Sequence, residues 1–551
     1  MPRFLAPHPI LRRAVARAVH VYLSADLRSL AAGRIALALV LLLDLGKRWV
    51  QLGTWYTNLG LVPNHTLLWR PSFDKVFSFF YMASYTHEAV LGFIVCALAY
   101  TTLLIGFRTR LAQVASLVCM LSLHGRLLLF DNGGDVVLGL LCIWTTFLPT
   151  GRFWSVDAVL AGRAPPPGAP NVHGSEGAVA IAERSPVTLP GHRVVSLGVL
   201  ALTFQLAFIY LFNAVHKGGA TWRDGSAVHY VLHLDRLVTA FGLWLRGWIT
   251  PGLARAMTWT SLGIEWSLPV LLLSPFAVRT CRRLAIVLVV MLHAGFGFCL
   301  NLGIFVPAMI AFTPNFIPGE DWDALQRWWS RGARRAAFSR RVGRRLAGAV
   351  ERAAGWFTPG RSIRVTDPGP ATRALLAKLP VAREVTVALF IVIAANQLLD
   401  ENYAAHFIID HHNSPEVAAA VTYLNLFQGW SMFAPDAPTT DLNVVVDAVT
   451  IDGRHVDPFN EVANPKYPAP GMNIPVASGP SWLFYGYENH IVGRPEYFQA
   501  FREWISRYPE RTGRKRDRLA SFRVFKVEDD SPPIGERLPR NTRWELLFSD
   551  P

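Results

Sequence analysis

Between Val194 and Val215 the chain runs for 22 residues without a charged side chain. An α-helix needs about 20 such residues to cross the hydrocarbon of a bilayer. Comparable apolar segments lie at about 30–46, 88–106, 111–130, 133–149, 254–274, 283–302, 303–318 and 382–399, the last but one broken by Pro307 and Pro314. Composition agrees, with 52% hydrophobic and 17% charged residues, against roughly 25% charged in soluble domains. A disordered chain, a fibre and a disulfide-stapled secreted scaffold are thereby excluded. The five cysteines, Cys96, Cys119, Cys142, Cys281 and Cys299, lie in or beside apolar runs without metal-ligand spacing, so no metal is expected.

Charge sets the expected orientation. The net charge of +15 comes without any nucleic-acid-binding motif, so no nucleic-acid partner is expected. In a membrane protein Lys and Arg collect in cytoplasmic loops. Residues 323–380 carry thirteen of them, including Arg334, Arg335, Arg340, Arg341, Arg344 and Arg345, against Asp323, Glu351 and Asp367. With that loop inside, and with the basic N-terminal segment (Arg3, Arg12, Arg13, Arg17) also inside, about nine spans satisfy the charge pattern. The expected divisions are a basic amphipathic segment at 1–24, a transmembrane domain at 25–320, a basic cytoplasmic loop at 321–380, a last span at 381–400 and an extracytoplasmic domain at 401–551. The stretch Ala164–Gly168 reads as part of a flexible linker. His229–Trp248 reads as an interfacial stretch anchored by Trp244 and Trp248.

Beyond residue 400 long apolar runs cease. Asp441–Ile451 alternates at strand period and meets a hairpin signal at Asp452-Gly453. Ser521–Val527 and Arg543–Phe548 are further expected strands, and Pro495–Ser506 has a helical pattern. The expected fold is thus a polytopic α-helical membrane protein with a C-terminal α+β, β-rich extracytoplasmic domain.

Ionisable side chains inside apolar spans are costly and mark either buried pairing or function. Here they are Arg34 and Asp44, His124 and Arg126, Asp135, Glu265 and His293. Arg34 and Asp44 stand ten residues apart, about 15 Å along a helix, so each is expected to form a structural ion pair with another helix. At the outer end of the 194–215 run comes Asn213-Ala-Val-His216-Lys217-Gly-Gly-Ala-Thr-Trp222. Burial and a neighbouring cation disfavour an ammonium ion. A neutral Lys217 could then take a proton from an amphiphile arriving from the bilayer; the competing reading is a lysine that only reaches for the interface.

From residue 25 to about 320 the sequence resembles the vitamin K-dependent gamma-carboxylases and their bacterial relatives with the horizontally transferred transmembrane (HTTM) domain. The resemblance rests on Gly33-Arg34, Asp44, Arg48, Trp55-Tyr56, Gly60 and Pro63; on Leu104-Ile-Gly-Phe-Arg-Thr-Arg110; and on Phe147-Leu-Pro149 with Ser155-Val-Asp157. It continues through Tyr210, Lys217, Trp222 and Gly225 to Glu265, His293-Ala294 and Asn301-Leu-Gly-Ile-Phe305. It implies a lyase that uses reduced vitamin K or menaquinol with O2, forms the quinone epoxide, and uses the resulting strong base to deprotonate a glutamate or other carbon acid that then captures CO2. Lys217, His293 and Glu265 would be catalytic, and His216, Trp222, Asp135, Arg126 and Asn301 would shape the quinone pocket. The chain departs from the carboxylase pattern at Gly133-Gly134, where an Asn-His pair is usual. It departs again at Asp436 and Ala437, after Gln428–Pro435, where basic residues are usual. Expected partners are the lipid bilayer, the quinol and an exported polypeptide, and the expected location is a bacterial inner membrane with the C-terminal domain periplasmic. A non-catalytic scaffold that binds an exported partner is the alternative reading.

His406 with Asp410-His411-His412 and the basic run Arg511–Arg516 are each read as solvated surface, and Asn64-His65-Thr66 fits a glycosylation sequon on an outer loop, a triplet common by chance.

Overall fold

The computed structural model describes residues 9–68, 76–130, 132–161, 188–189, 192–332, 370–406, 411–463, 481–536 and 541–551, with 341, 345, 348, 409 and 465 besides. The expected linker at Ala164–Gly168, Arg3, Asp410 and most of the basic loop, including Glu351 and Asp367, lie outside the described residues.

The chain is mostly helical, with a separate β-containing region. Each apolar segment of the sequence forms a helix: α1 (Leu27–Trp49), α2 (Thr86–Ile105), α3 (Thr109–Gly125), α4 (Gly133–Thr146), α5 (Leu197–His216), α6 (Pro251–Leu273), α7 (Val278–Cys299), α8 (Phe305–Phe312) and α9 (Pro370–Glu401). Among the described residues, five stretches are long and apolar enough to cross a membrane: α1, α2, α5, α7 and the Lys378–Glu401 part of α9. The segments expected at 111–130, 133–149 and 303–318 are shorter as helices, because each ends in a turn before its apolar run does. Local chemistry sets several boundaries. The Ser196 hydroxyl accepts from Gly198 N–H at the start of α5, Thr250 caps α6 ahead of Pro251, and Gly106, at φ 67°, ends α2 in the left-handed conformation that glycine tolerates. A small antiparallel sheet of β1 (Ser24–Asp26), β2 (Thr188–Leu189) and β3 (Arg193–Val195) ties the starts of α1 and α5 together.

Ionisable groups in the bundle find partners, though not all as expected. Arg34 donates to the main-chain carbonyls of Leu103, Leu104 and Trp154, not to a carboxylate on another helix. The helix ends around it offer unpaired carbonyls that a guanidinium can satisfy. Asp44 pairs with Arg48 one turn along its own helix at 2.9 Å and with His124 at 3.1 Å. Arg48 also reaches Asp135 at 2.6 Å. The ligand-type atoms of Asp44, His124 and Asp135 lie within 4.8 Å of one another, but Arg48 already stands among them and bonds both carboxylates.

The C-terminal region is a five-stranded antiparallel sheet in the order β6-β5-β4-β7-β8, with β4 at Thr440–Thr450, β5 at His455–Asp457, β6 at Val462–Ala463, β7 at Leu519–Asp530 and β8 at Thr542–Asp550. The expected strands and the Gly453 hairpin are present, Gly453 at φ 80°. Strand β4 is buried on both faces: Val444, Val446 and Ala448 join the main core, while Val445 packs with Val527 on the other side. Helix α11 (Phe498–Ser506) falls within the expected Pro495–Ser506 pattern. Helix α10 (Ser481–Ile491) was not foreseen; it seats Phe484 and Tyr487 against Trp55, with ring centroids 5.3 and 5.8 Å away. The C-terminal sheet and the helical bundle therefore share one apolar core.

Candidate functional site

Helices α5, α6 and α7 run beside one another and enclose a cavity of about 900 Å³. That volume suits a drug-sized or larger apolar ligand. Its wall is mostly hydrophobic, with Ile209, Trp222, Ile264, Phe296, Phe305 and Met432 among the lining residues. The polar groups gather on α5, α6 and α7: Tyr210, Asn213 and Lys217; Ser261 and Glu265; and His293.

Lys217 is the C-cap of α5, at the carbonyl end of the helix, where a cation is favoured. Its Nζ lies 2.7 Å from both carboxylate oxygens of Glu265 and 4.5 Å from the centre of the Trp222 ring. Both partners are buried, Lys217 at 7% exposure and Glu265 at 2%. Asn213, one turn before the lysine, donates to Glu265 Oε1 at 3.1 Å and accepts from Met432 N–H at 3.0 Å. Across the cavity, Tyr210 Oη is 2.9 Å from His293 Nε2, which leaves His293 Nδ1 buried without a partner. A second cavity residue in the same condition is Asn132, whose Nδ2 is buried and unpartnered while its Oδ1 caps α4 by accepting from Gly134 N–H. Buried polar atoms are normally satisfied. Trp482, a third lining residue, likewise has its Nε1 buried without a partner.

The turn Trp430–Ala437 closes the cavity from the C-terminal region. Pro435 O accepts from Gly219 N–H at 2.9 Å, and Phe433 O accepts from Trp222 Nε1 at 2.8 Å. Asp436 accepts from Thr221 N–H and its hydroxyl at 2.8 and 3.0 Å. A Cβ on Gly219 would stand 2.2 Å from the Asp436 carboxyl carbon, so a side chain there would displace that carboxylate. Asp436, the departure from the carboxylase pattern, thus binds the loop that carries the lysine. Trp482 and Tyr485 of α10 add further wall.

Of the residues expected at the site, Lys217, Glu265, His293 and Trp222 come together. His216 does not line the cavity. Its Nδ1 donates to Trp430 O at 2.9 Å and its ring stacks on Tyr403 at 4.1 Å, because consecutive residues at a helix end point about 100° apart. Asp135 turns into the Arg48 cluster. Arg126 is wholly buried elsewhere, donating to Val62 O at 2.7 Å beside the Tyr81 ring. Asn301 is flanked by the lining residues Leu300 and Leu302, and its own N–H donates to Leu237 O at 2.6 Å. Gly134 is explained by space, since a Cβ there would lie 2.3 Å from Phe305 N, whereas one on Gly133 would meet only the flexible Met432 side chain, with Sδ at 2.8 Å.

Sequence reasoning did not anticipate the roles of Asn132, Trp482 and Tyr485. For Asn132 the signal was available, since Asn followed three residues later by Asp is a helix-capping pattern. Comparison with family models, with curated proteins and with solved structures finds no match.

Proposed function

We propose that this chain is a membrane-embedded enzyme of the gamma-carboxylase type, with nine spans and a periplasmic C-terminal region. Its cavity would bind a reduced quinone such as menaquinol at the Lys217–Glu265 end. One observation carries this reading: an apolar cavity is lined by a buried amine–carboxylate pair, Lys217 and Glu265. A flat quinol ring would offer a hydroxyl to the Lys217 amine and an apolar body to the wall.

In this reading Lys217 is the base. In its neutral form the Lys217 amine, held 2.7 Å from Glu265, is the group that would receive a proton. The amine then accepts a hydroxyl proton of the quinol. Tyr210 fixes the His293 ring through its 2.9 Å hydrogen bond with Nε2. O2 is the oxidant that converts quinol to epoxide, and CO2 and a glutamate or other carbon acid complete the carboxylation. The Trp430–Ala437 turn excludes water, which would otherwise quench a strong base before it reached a weakly acidic C–H.

The test supplies purified protein in nanodiscs with menaquinol and O2 and follows quinone epoxide by mass spectrometry. Wild type is expected to form epoxide, and Lys217→Ala is expected to reduce it at least a hundredfold while remaining folded. Folded wild-type protein that forms no epoxide refutes the reading. The second reading, a non-catalytic scaffold, is favoured by the closed Lys217–Glu265–Asn213 chain that ties α5, α6 and Met432 together. In that case Lys217→Ala would lower stability and there would be no turnover to lose.

A further inference from the structure

Away from the cavity, cationic side chains from distant parts of the chain meet at the end of the bundle where α6 finishes and α5 and α7 begin. His20 lies in the turn between the N-terminal helix Pro9–Ala18 and β1. Arg193 lies on β3, and its Nη2 donates to Ser24 Oγ at 3.0 Å; the Ser24 hydroxyl in turn donates to His20 O at 2.6 Å. Arg282, near the start of α7, donates from Nη2 to Val21 O at 2.5 Å. Both guanidiniums are thus fastened to the same short stretch, His20–Ser24. Arg17 donates to Pro275 O at 2.8 Å and seats the N-terminal helix against the α6–α7 turn.

This cluster has no direct counter-ion. Among the described residues neither Arg193 nor Arg282 forms an ion pair with a carboxylate. Asp26, opposite Arg193 in the β1–β3 register, is taken up by Arg28 at 2.8 Å, and Asp321 is taken up by Arg279 and Arg283. Glu320 is exposed and acts on all three cations through its field without bonding to any of them. Burial and the two guanidiniums hold His20 below the usual histidine value, with Glu320 opposing. Arg193 Nε is buried without a partner. Helix α7 begins with no side-chain cap and no acidic residue in its first turn, and a cation at a helix N-terminus works against the dipole. One anion would offset all of these: the orphan N–H, the neighbouring like charges and the uncapped helix start.

We infer that this corner is a binding site for a phosphate group, held by Arg193 and Arg282 with His20 and the start of α7 beside it. The phosphate oxygens would accept from Arg193 Nε and from the remaining guanidinium N–H groups. Two sources share this chemistry, the headgroup of an anionic phospholipid and free inorganic phosphate. The charge pattern of the chain assigns this end of the bundle to the cytoplasmic side, where basic pockets between helices take up anionic headgroups. None of the cavity residues is involved, so the site stands whether or not the cavity is catalytic. An occupied site pins the N-terminal segment across the starts of α5 and α7, the helices that carry Lys217 and His293.

The experiment uses the full-length protein, stripped of co-purified lipid in detergent, and reads thermal unfolding and native mass spectra. Dioleoyl phosphatidylglycerol is compared with dioleoyl phosphatidylcholine, and inorganic phosphate with chloride at equal ionic strength. Wild type should bind phosphatidylglycerol, phosphate or both saturably, and unfold at a higher temperature when it does. A response to the lipid alone assigns the site to a headgroup; a response to phosphate as well assigns it to the phosphate group from either source. Combining Arg193→Gln with Arg282→Gln should weaken that binding at least tenfold. Arg279→Gln, which removes only an exposed partner of Asp321, should leave it within twofold of wild type. If the double variant does not fold, Arg193→Gln alone makes the comparison. The inference is overturned if wild type binds phosphatidylglycerol no better than phosphatidylcholine and phosphate no better than chloride. Binding by the folded glutamine variant that equals wild type overturns it too.

Discussion

Asp441, at the start of β4, is buried at 3% exposure where the C-terminal sheet meets the loop before α6. Its Oδ2 accepts from Asp235 N–H at 3.0 Å and from Asn443 Nδ2 at 3.0 Å, while Oδ1 is buried without a partner. Burial, with the Asp235 carboxylate beside it, pushes the Asp441 carboxyl up to about 7. Glu488 adds to the same effect, and Arg236 and Tyr485 also lie within its field. Released into water, an aspartate titrates near 3.9. The closed state therefore holds its proton over a range in which the opened state has lost it. Closure is most favoured below about pH 4, weakens as pH rises towards 7, and changes no further above that.

Three pH units at 1.36 kcal/mol each set the scale of this loss at about 4 kcal/mol. Asp441→Asn keeps an oxygen for Asp235 N–H and Asn443 and cannot ionise, so it should remove this contribution. The assay is hydrogen exchange of β4 and β7 amides from pH 5 to 8, corrected for the intrinsic exchange rate. At pH 8 the variant should be more protected than wild type by up to about 10³-fold, with the difference vanishing towards pH 4. A wild-type pH slope that survives the substitution, or lower protection of the variant at pH 8, would refute the argument.

Two further substitutions test the bundle. Arg48→Met leaves Asp44 and Asp135 buried without their shared cation and should cost about 3–5 kcal/mol; thermal unfolding in detergent should show it, with partial recovery when Asp44→Asn is added. Gly134→Ala puts a Cβ against the Phe305 backbone and should cost about 1–3 kcal/mol by overpacking, read in the same assay, whereas Gly46→Ala meets nothing within 4 Å and should be close to neutral.

Much of the architecture was legible because apolar length and strand alternation are local properties. Val194–Val215 nearly coincides with α5, and Asp441–Ile451 matches β4 to within a residue at each end. Helix α10 carries a buried stripe of Leu483, Phe484, Tyr487 and Ile491 at helical spacing, but its partners Trp55 and Phe130 lie far away in the chain, so its seat against the bundle was not legible. At the site, Lys217 was conspicuous from its neighbours. Its carboxylate partner could be named as a candidate residue, but not paired with it, since 48 residues separate them. His216 misled for the reverse reason: adjacency in sequence at a helix end means divergence in space. Gly134 and Asp436 read as losses against the carboxylase pattern, yet each is occupied with packing or with holding the lysine loop.

The order of synthesis gives the Trp430–Ala437 turn a further consequence. Lys217 and Glu265 leave the ribosome long before the segment that covers them, and α9 must be made in between. A nascent or truncated chain therefore carries the amine and its carboxylate without their roof. The cavity wall is complete only when the Trp430–Ala437 turn has packed onto the loop after Lys217, so its lining depends on the last part of the chain to be made.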